Sequence, residues 1–285
     1  MISRGGSTTP RAQRPAVAEG SNEIRIATDR GGDGTVDVLF VHATGFCKEV
    51  WQPVIDRVST QPWSWLSMDL RGHGGSDTGS SPNDWDLLIH DVFGVIDDEP
   101  AVVGVGHSSG GGLIARAEAV RPGTFRHLVL IEPIIFPPPF QRIDGPLSEG
   151  TRKRRTVFPS RDAAFERFAS GPFGSWTSES LTAYIDHGFR ATGAGWELKC
   201  SPEVEADFYV EGLNHDTWDR VEDIDVPVTL IAGERSSTYP ETHLNALASR
   251  FRRVDVIVVP DAGHLLPMED PGLIARIVDD VIPAG

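Results

Sequence analysis

The sequence predicts an α/β fold with a mostly parallel central sheet, and three observations support this prediction. Short apolar runs end in clusters of turn residues, which is typical of strands buried on both faces. Stretches with helical patterning separate these runs, as repeated βαβ units require. The alternation stops in the middle of the chain and resumes near its end. We therefore predict one sheet with helices on both faces and an insertion that folds over its edge.

The strand signals begin where Ile24 and Ile26 alternate with polar residues ahead of a glycine-rich turn at 31–34. Six further apolar runs are predicted as strands, at residues 36–41, 65–68, 101–105, 127–131, 226–232 and 254–259. The clearest helical stretches lie at residues 85–96, 112–120, 163–169, 180–189 and 271–281. Strands that alternate with helices in this way form a parallel sheet.

Three kinds of segment follow from this pattern. Residues 1–22 are rich in Ser, Thr, Pro, Arg and Gly and lack the apolar stretch of a secretory signal, so they are predicted to be a disordered tail. Residues 23–136 and 222–285 are predicted to form the α/β core. Residues 137–221, called the cap segment below, are predicted to form a helical cap.

Composition and charge exclude several classes of function. The chain has 285 residues, a formal net charge of −15 and two cysteines, Cys47 and Cys200. An acidic surface repels phosphate backbones and anionic lipids, so we expect neither nucleic-acid nor membrane partners. Two distant cysteines make neither a disulfide framework nor a four-ligand zinc site. No run of 18 apolar residues occurs. We expect free thiols and a cytoplasmic protein.

A candidate nucleophile stands between a predicted strand and a predicted helix, in Gly106-His107-Ser108-Ser109-Gly110. The G-x-S-x-G motif needs this context, because its serine sits on a sharp, strained turn whose neighbours must be small. The helix that follows directs N–H groups and the positive end of its dipole at developing negative charge. Ser108 is therefore the predicted nucleophile. Ser109 is a rival hydroxyl. We expect its backbone N–H, and not its side chain, to take part in the reaction.

The candidate general base is His264, in the loop after the last predicted strand. From there its imidazole can reach the carboxyl edge of the sheet, accept the Ser108 proton and pass it to a leaving group. His42, His73 and His107 are rivals at other strand ends. They precede the nucleophile or stand beside it, and His42 is expected to brace its loop through hydrogen bonds.

The third member, the acid, has two candidates. Glu132 follows the strand after the nucleophile's helix and is embedded in an apolar run, so it needs a partner, either His264 or an arginine. Glu234 follows a later strand and stands beside Arg235, where a solvated loop residue is also expected. We favour Glu132.

Together these residues resemble the α/β-hydrolase superfamily over residues 24–136 and 222–285. The resemblance also rests on Gly263-His264 and on two motifs ahead of the nucleophile, His42-Ala43-Thr44-Gly45 and Asp69-x-Arg71-Gly72-x-Gly74-x-Ser76. It implies the α/β-hydrolase fold with a cap over the active site and a serine hydrolase with the triad Ser108, Glu132 and His264. It also implies an oxyanion hole from the N–H groups of Ser109 and Thr44, the latter in the loop after the third strand.

Two positions depart from the family pattern. Ala43 stands where the family usually has glycine, and Ser236 stands where it usually has its aspartate, in G-x-x-D. The second departure is a reason to favour Glu132, since some relatives, including certain haloalkane dehalogenases, carry their acid after the earlier strand. Those dehalogenases use an aspartate nucleophile. Ser108 therefore argues against dehalogenation and epoxide opening.

Three functions remain open at this point. The first is hydrolysis of a small-molecule carboxylic ester, lactone or thioester through an acyl-enzyme. The second is cleavage of a carbon–carbon bond in a β-diketone-like substrate with the same triad. The third is a non-catalytic protein that binds a small molecule. Product analysis separates the first two, and failure to label with a fluorophosphonate favours the third.

The remaining expectations concern ligands. The sequence has no metal-ligand cluster, phosphate-binding loop or dinucleotide fingerprint, so we expect no cofactor. Aromatic residues of the cap segment are expected to form mostly its core, with a few lining an apolar pocket. The basic run at residues 152–155 is expected to be a solvated helix face or, alternatively, to attract an anionic substrate. The oligomeric state is left open.

Overall fold

The computed structural model describes residues 24–282, so the predicted tail at 1–22 lies outside the described residues. The strands in chain order are β1 Thr28–Gly31, β2 Val38–Val41, β3 Trp65–Met68, β4 Val102–His107, β5 Phe125–Ile131, β6 Val157–Phe158, β7 Phe189–Thr192, β8 Gly195–Leu198, β9 Val228–Gly233 and β10 Val254–Val259. Seven of them form a sheet in the order β1-β3-β2-β4-β5-β9-β10. Only β1 runs antiparallel to its neighbour in this sheet. The prediction of a mostly parallel sheet is confirmed.

Helices cover both faces of this sheet. In chain order they are α1 Gln52–Ile55, α2 Trp85–Ile96, α3 Ser109–Val120, α4 Pro146–Arg152, α5 Arg161–Ala169, α6 Ser178–His187, α7 Pro202–Glu211, α8 Thr217–Arg220, α9 Glu241–Ala248, α10 Leu266–Glu269 and α11 Pro271–Val281. None of the helices in residues 24–282 has both the length and the apolar composition that crossing a membrane requires.

The alternation of side chains along the strands divides the core into two layers. In β2, Leu39 belongs to the apolar cluster that includes residues of α2 and α3, whereas Val38 and Phe40 belong to the cluster that includes residues of α1 and α11. Successive side chains of a strand point to opposite faces, so a strand buried on both faces reads as a continuous apolar run. This is why the short runs predicted the strands.

Local sequence also sets the ends of the helices. The Asp84 side chain accepts hydrogen bonds from the N–H groups of Asp86 and Leu87, which caps α2. Asp270 caps α11 in the same way, and Pro271 occupies its first turn. Aspartate caps satisfy N–H groups that have no partner inside the helix, and proline suits the first position. The predicted bounds of α2 and α11 match the observed ones.

The cap segment is not wholly helical. Besides α4 to α8 it contains a small antiparallel sheet in the order β6-β8-β7, which the sequence analysis did not anticipate. Two-residue and four-residue strands carry too few residues for the period-two pattern to show. The boundaries at residues 137 and 221 remain a prediction.

Candidate active site

Ser108 stands on a sharp turn between β4 and α3. Its backbone has φ 54° and ψ −116°, a conformation that L-residues rarely adopt and that is typical of the strained nucleophile turn. Its N–H donates to the carbonyl of Ile131 at 2.9 Å. A Cβ on Gly110 would lie 2.3 Å from the carbonyl oxygen of Val41, so only glycine allows α3 to approach β2 this closely. The small residues of the motif are thus required sterically, as predicted.

His264 lies in the loop after β10, with its imidazole over the same edge of the sheet. Its Nε2 is 3.2 Å from Ser108 Oγ, and its Nδ1 is 2.5 Å from Glu132 Oε2. When Nδ1–H donates to the carboxylate, Nε2 is left as the acceptor for the serine hydroxyl. The carbonyl of His264 accepts a hydrogen bond from His107 Nε2 at 2.8 Å, which holds the loop in place.

Glu132 follows β5 and is completely buried. Its Oε1 accepts from the N–H of Gly233 at 2.9 Å, and its Oε2 accepts from both His264 and the hydroxyl of Ser236. No arginine is among its hydrogen-bond partners in residues 24–282, so the alternative of an arginine pair does not occur there. Glu234 is exposed, and its carboxylate accepts instead from the N–H of Asp261. The structure therefore brings Glu132, and not Glu234, to His264.

Ser236 explains how the departure from the family pattern is accommodated. It occupies the position of the usual aspartate after β9, and its Oγ donates to Glu132 Oε2 at 2.7 Å. β5 and β9 are neighbouring parallel strands, so the residues after both strands meet at one edge. Ser236 was noticed in the sequence only as a missing aspartate. The serine at the fourth position of Gly233-Glu234-Arg235-Ser236 was the feature of the sequence that could have predicted a hydroxyl beside the acid.

The loop after β2 carries the second predicted oxyanion donor. Thr44 follows β2, which is the second strand in residues 24–282 and not the third. Its N–H donates to Ser109 Oγ at 2.8 Å, and its own hydroxyl lies 3.1 Å from the same oxygen. Thr44 and Ser109 therefore lie together as expected. The contribution of the Ser109 side chain was not anticipated, since only its N–H was considered.

Gly45 fixes the shape of this loop. Its φ of +86° is one that favours glycine, and a Cβ there would lie 2.8 Å from Glu205 Oε1. Its N–H donates to His73 Nε2 at 2.9 Å. The loop is thus held at three successive residues, since His42 Nδ1 also donates to the carbonyl of Ala43 at 2.8 Å.

The three rival histidines are all buried and take part in backbone hydrogen bonds. Burial lowers the pKa of His42 well below its usual value, that of His73 to about 4 and that of His107 to about 3. Each ring is therefore neutral near pH 7 and presents one donor and one acceptor. His42 accepts from the N–H of Leu70 through Nε2, which agrees with the bracing role expected for it.

The low pKa of His73 predicts a pH-dependent stability. The unfolded chain takes up a proton on this ring below pH ~6.5, whereas the folded protein resists protonation down to about 4. Its contribution is therefore fully present above pH 6.5 and is lost as the pH falls toward 4. Relative to His73→Gln, the wild type should lose up to ~1.4 kcal/mol more unfolding free energy per pH unit over this interval. Urea unfolding of both proteins from pH 7.5 to 4.5 measures this, and equal slopes would contradict it.

Two adjoining cavities open at the site. A cavity of about 150 Å³ is lined by Ser108 and Ser109, and a larger one of about 470 Å³ lies between the loop after β2 and the cap segment. Both are lined by Thr44, Leu147 and Tyr209, so they adjoin. Their combined size is in the range of pockets for small organic molecules. Five aromatic residues of the cap segment line the larger cavity: Phe158, Phe168, Phe173, Tyr184 and Tyr209.

We next searched residues 24–282 for side chains that could bind a metal ion. Within residues 24–282, no group of three or more His, Cys, Asp or Glu side chains is placed to hold a metal ion. Cys47 and Cys200 are free thiols, and both are buried.

A serine on a strand–turn–helix elbow, facing a carboxylate-held histidine across the carboxyl edge of a parallel sheet, defines the class of α/β hydrolases. The model of the α/β hydrolase family matches residues 38–277. The chain belongs to this family, which confirms the resemblance seen in the sequence.

Two individual relatives each share less than 30% sequence identity with the chain. The chain is 26% identical over 267 residues to the 2-(acetamidomethylene)succinate hydrolase of Mesorhizobium japonicum, covering 92% of each chain. It is 28% identical over 217 residues to the abhydrolase domain-containing protein AKT2 of Alternaria alternata, covering 64% of this chain and 82% of that one.

Solved structures show the same fold. The crystal structure of E-2-(acetamidomethylene)succinate hydrolase superposes with a TM-score of 0.78 at 22% identity, covering 92% of this chain and 96% of the other. The thioesterase domain from the curacin biosynthetic pathway also gives 0.78, at 19% identity, covering 94% and 99%. At these identities the likeness concerns the fold alone.

Proposed function

We propose that the protein is a serine hydrolase that cleaves a carboxylic ester, lactone or thioester through an acyl-enzyme. One observation carries the proposal: an unbroken chain of hydrogen-bonding contacts from Ser108 Oγ through both nitrogens of His264 to the buried carboxylate of Glu132. In serine hydrolases that use a histidine as base, the hydroxyl, the imidazole and the carboxylate stand in this order.

The roles follow from these contacts. Ser108 Oγ attacks the substrate carbonyl while His264 Nε2 takes its proton, and the imidazolium is stabilised by Glu132. The tetrahedral intermediate collapses, His264 protonates the leaving group, and the acyl group stays on Ser108. Water then attacks the acyl-enzyme with the same histidine as base. The acid is released and the serine is regenerated.

We propose the N–H groups of Ser109 and Thr44 as the oxyanion donors. Ser109 is the first residue of α3, where backbone N–H groups have no acceptor inside the helix. In the free protein the Thr44 N–H donates to Ser109 Oγ at 2.8 Å, so it must exchange or share this acceptor when it binds the oxyanion. Each such donor contributes ~3–4 kcal/mol of transition-state stabilisation by mutational precedent.

Amide hydrolysis is the second candidate. The name of the Mesorhizobium japonicum relative, which spans 92% of this chain, contains an acetamido group. An ester and an amide pass through the same acyl-enzyme, and they differ in the leaving group that His264 must protonate.

A substrate panel with acyl-enzyme trapping tests the proposal. p-Nitrophenyl esters from acetate to octanoate are compared with matched p-nitroanilides and a β-diketone, and acid-quenched samples are digested for mass spectrometry. We expect ester turnover and an acyl adduct on the peptide that contains Ser108. Faster anilide turnover would favour the amidase. Carbon–carbon cleavage of the diketone, or no turnover with no adduct and no fluorophosphonate labelling, would overturn the proposal.

A further inference from the structure

The larger cavity has a charged wall that catalysis by the triad does not use. Arg154 follows α4, lines this cavity and pairs with the buried carboxylate of Glu205 on α7. The hydroxyl of Tyr209 donates to Glu205 Oε1 at 3.2 Å. These three side chains face the aromatic wall, so the cavity combines an apolar body with one polar patch.

The side chains that line the larger cavity have a net positive charge, whereas the whole chain has a net negative charge. Its lining includes three arginines, Arg154, Arg155 and Arg167, against one carboxylate, Glu205. The lining therefore carries two positive charges more than negative ones, while the whole chain has a formal charge of −15. A positively charged cleft with low-dielectric walls concentrates anions. The expectation that residues 152–155 form a solvated helix face is thus incorrect for Arg154, whose side chain is only 24% exposed.

Arg154 has hydrogen-bonding capacity that its partner does not fill. Its Nη2 is in contact with Glu205 Oε2, but its Nε is buried and makes no hydrogen bond to any residue in 24–282. Arg71 shows the contrast, since its Nε and Nη2 donate to the two oxygens of Asp91 at 2.5 and 2.7 Å. Buried guanidinium N–H groups without acceptors are costly, and a planar carboxylate matches them best.

We propose that this patch is a subsite for a carboxylate of the substrate, so that the enzyme prefers acyl groups with an apolar chain ending in a carboxylate. This rests on the proposed function, with the bond to be cleaved at Ser108 in the smaller cavity. The acyl chain extends past Thr44 and Tyr209, which line both cavities, toward Arg154. The two arginines farther out, Arg155 and Arg167, attract the anion.

Matched substrates test the subsite. p-Nitrophenyl monoesters of glutarate and adipate are compared with the neutral esters of valerate and hexanoate. We expect kcat/KM to favour the anionic esters in the wild type, and Arg154→Gln to lower the ratio of anionic to neutral kcat/KM by about 10- to 100-fold, as loss of a charge-assisted hydrogen bond predicts. Arg152→Gln is the matched control, because Arg152 pairs with Asp144 and Asp207 outside this cavity.

A second variant tests the subsite independently, in case Arg154→Gln does not fold. Glu205→Gln removes the only carboxylate of the lining and keeps Arg154, so it should raise the same ratio. A fall or no change on Glu205→Gln, or an unchanged ratio on Arg154→Gln, would overturn the subsite.

Binding can also be measured without turnover. Adipate should raise the melting temperature of Ser108→Ala more than that of Ser108→Ala/Arg154→Gln, with hexanol as the neutral comparison. Equal shifts would contradict the subsite. Hydrolysis of neutral esters without anionic preference would refute the subsite alone, whereas adipate binding without any acyl transfer would refute the proposed function alone.

Discussion

Replacing Ser108 with alanine is expected to lower kcat for ester hydrolysis by about 10⁴- to 10⁶-fold. The loss is large because the serine supplies the only oxygen in contact with His264 Nε2 among residues 24–282. Ser109 cannot replace it, since among residues 24–282 its hydroxyl bonds to Thr44 and not to His264. Initial rates with the preferred p-nitrophenyl ester and labelling by a fluorophosphonate measure the effect.

The matched control for this variant is Ser249→Ala. Ser249 directly follows α9, and its exposed hydroxyl donates to the carbonyl of Ala246. This variant should keep wild-type rates and labelling. If Ser108→Ala retained more than about a tenth of the activity, a value far above the residual rates of triad variants, the serine would not be the nucleophile.

Replacing Glu132 with glutamine is expected to lower kcat by about 10³- to 10⁴-fold, as for triad acids in other serine hydrolases. The amide can offer its NH₂ to His264 Nδ1, which favours the tautomer that cannot accept the Ser108 proton. The imidazolium formed in the transition state also loses its counter-charge. Ester turnover and circular dichroism, measured together, separate this loss from loss of fold.

Glu234→Gln provides the comparison for this second prediction. Its carboxylate is exposed and accepts from Asp261, so the variant should lie within a few-fold of wild type. A larger loss on Glu234→Gln than on Glu132→Gln would reverse the assignment of the acid. Glu132→Gln/Ser236→Asp is expected to recover part of the activity, because position 236 already approaches the carboxyl group of Glu132 at 2.7 Å.

Much of the fold was predictable because its signals are local. The bounds predicted for β3, β10, α2 and α11 agree with the structure, since the apolar runs lie within those segments and the capping residues directly precede the two helices. β1 was less predictable. The alternation around Ile24 and Ile26 precedes the strand, which pairs with β3 from Thr28 onward. Edge pairing of four residues depends on a partner distant in sequence, so the pattern located it only approximately.

The sequence by itself determined the succession of strands in the main sheet, the helices α2, α3 and α11, the elbow at Ser108 and the position of His264 after the last strand. These features depend on neighbouring residues, because sterics at a turn and side-chain periodicity act over a few positions. It favoured Glu132 over Glu234, but it could not show which of the two carboxylates lies beside His264, since both follow strands of the same sheet.

The tertiary structure places Glu132 beside His264. Glu132 meets Ser236 and His264 across 104 and 132 positions of sequence, because the sheet places β9 directly beside β5 and β10 beyond it. The same long-range packing brought the hydroxyl of Ser109 to Thr44 and buried Arg154 against Glu205. Such contacts depend on which strands become neighbours in the sheet. No local pattern of residues specifies those neighbours.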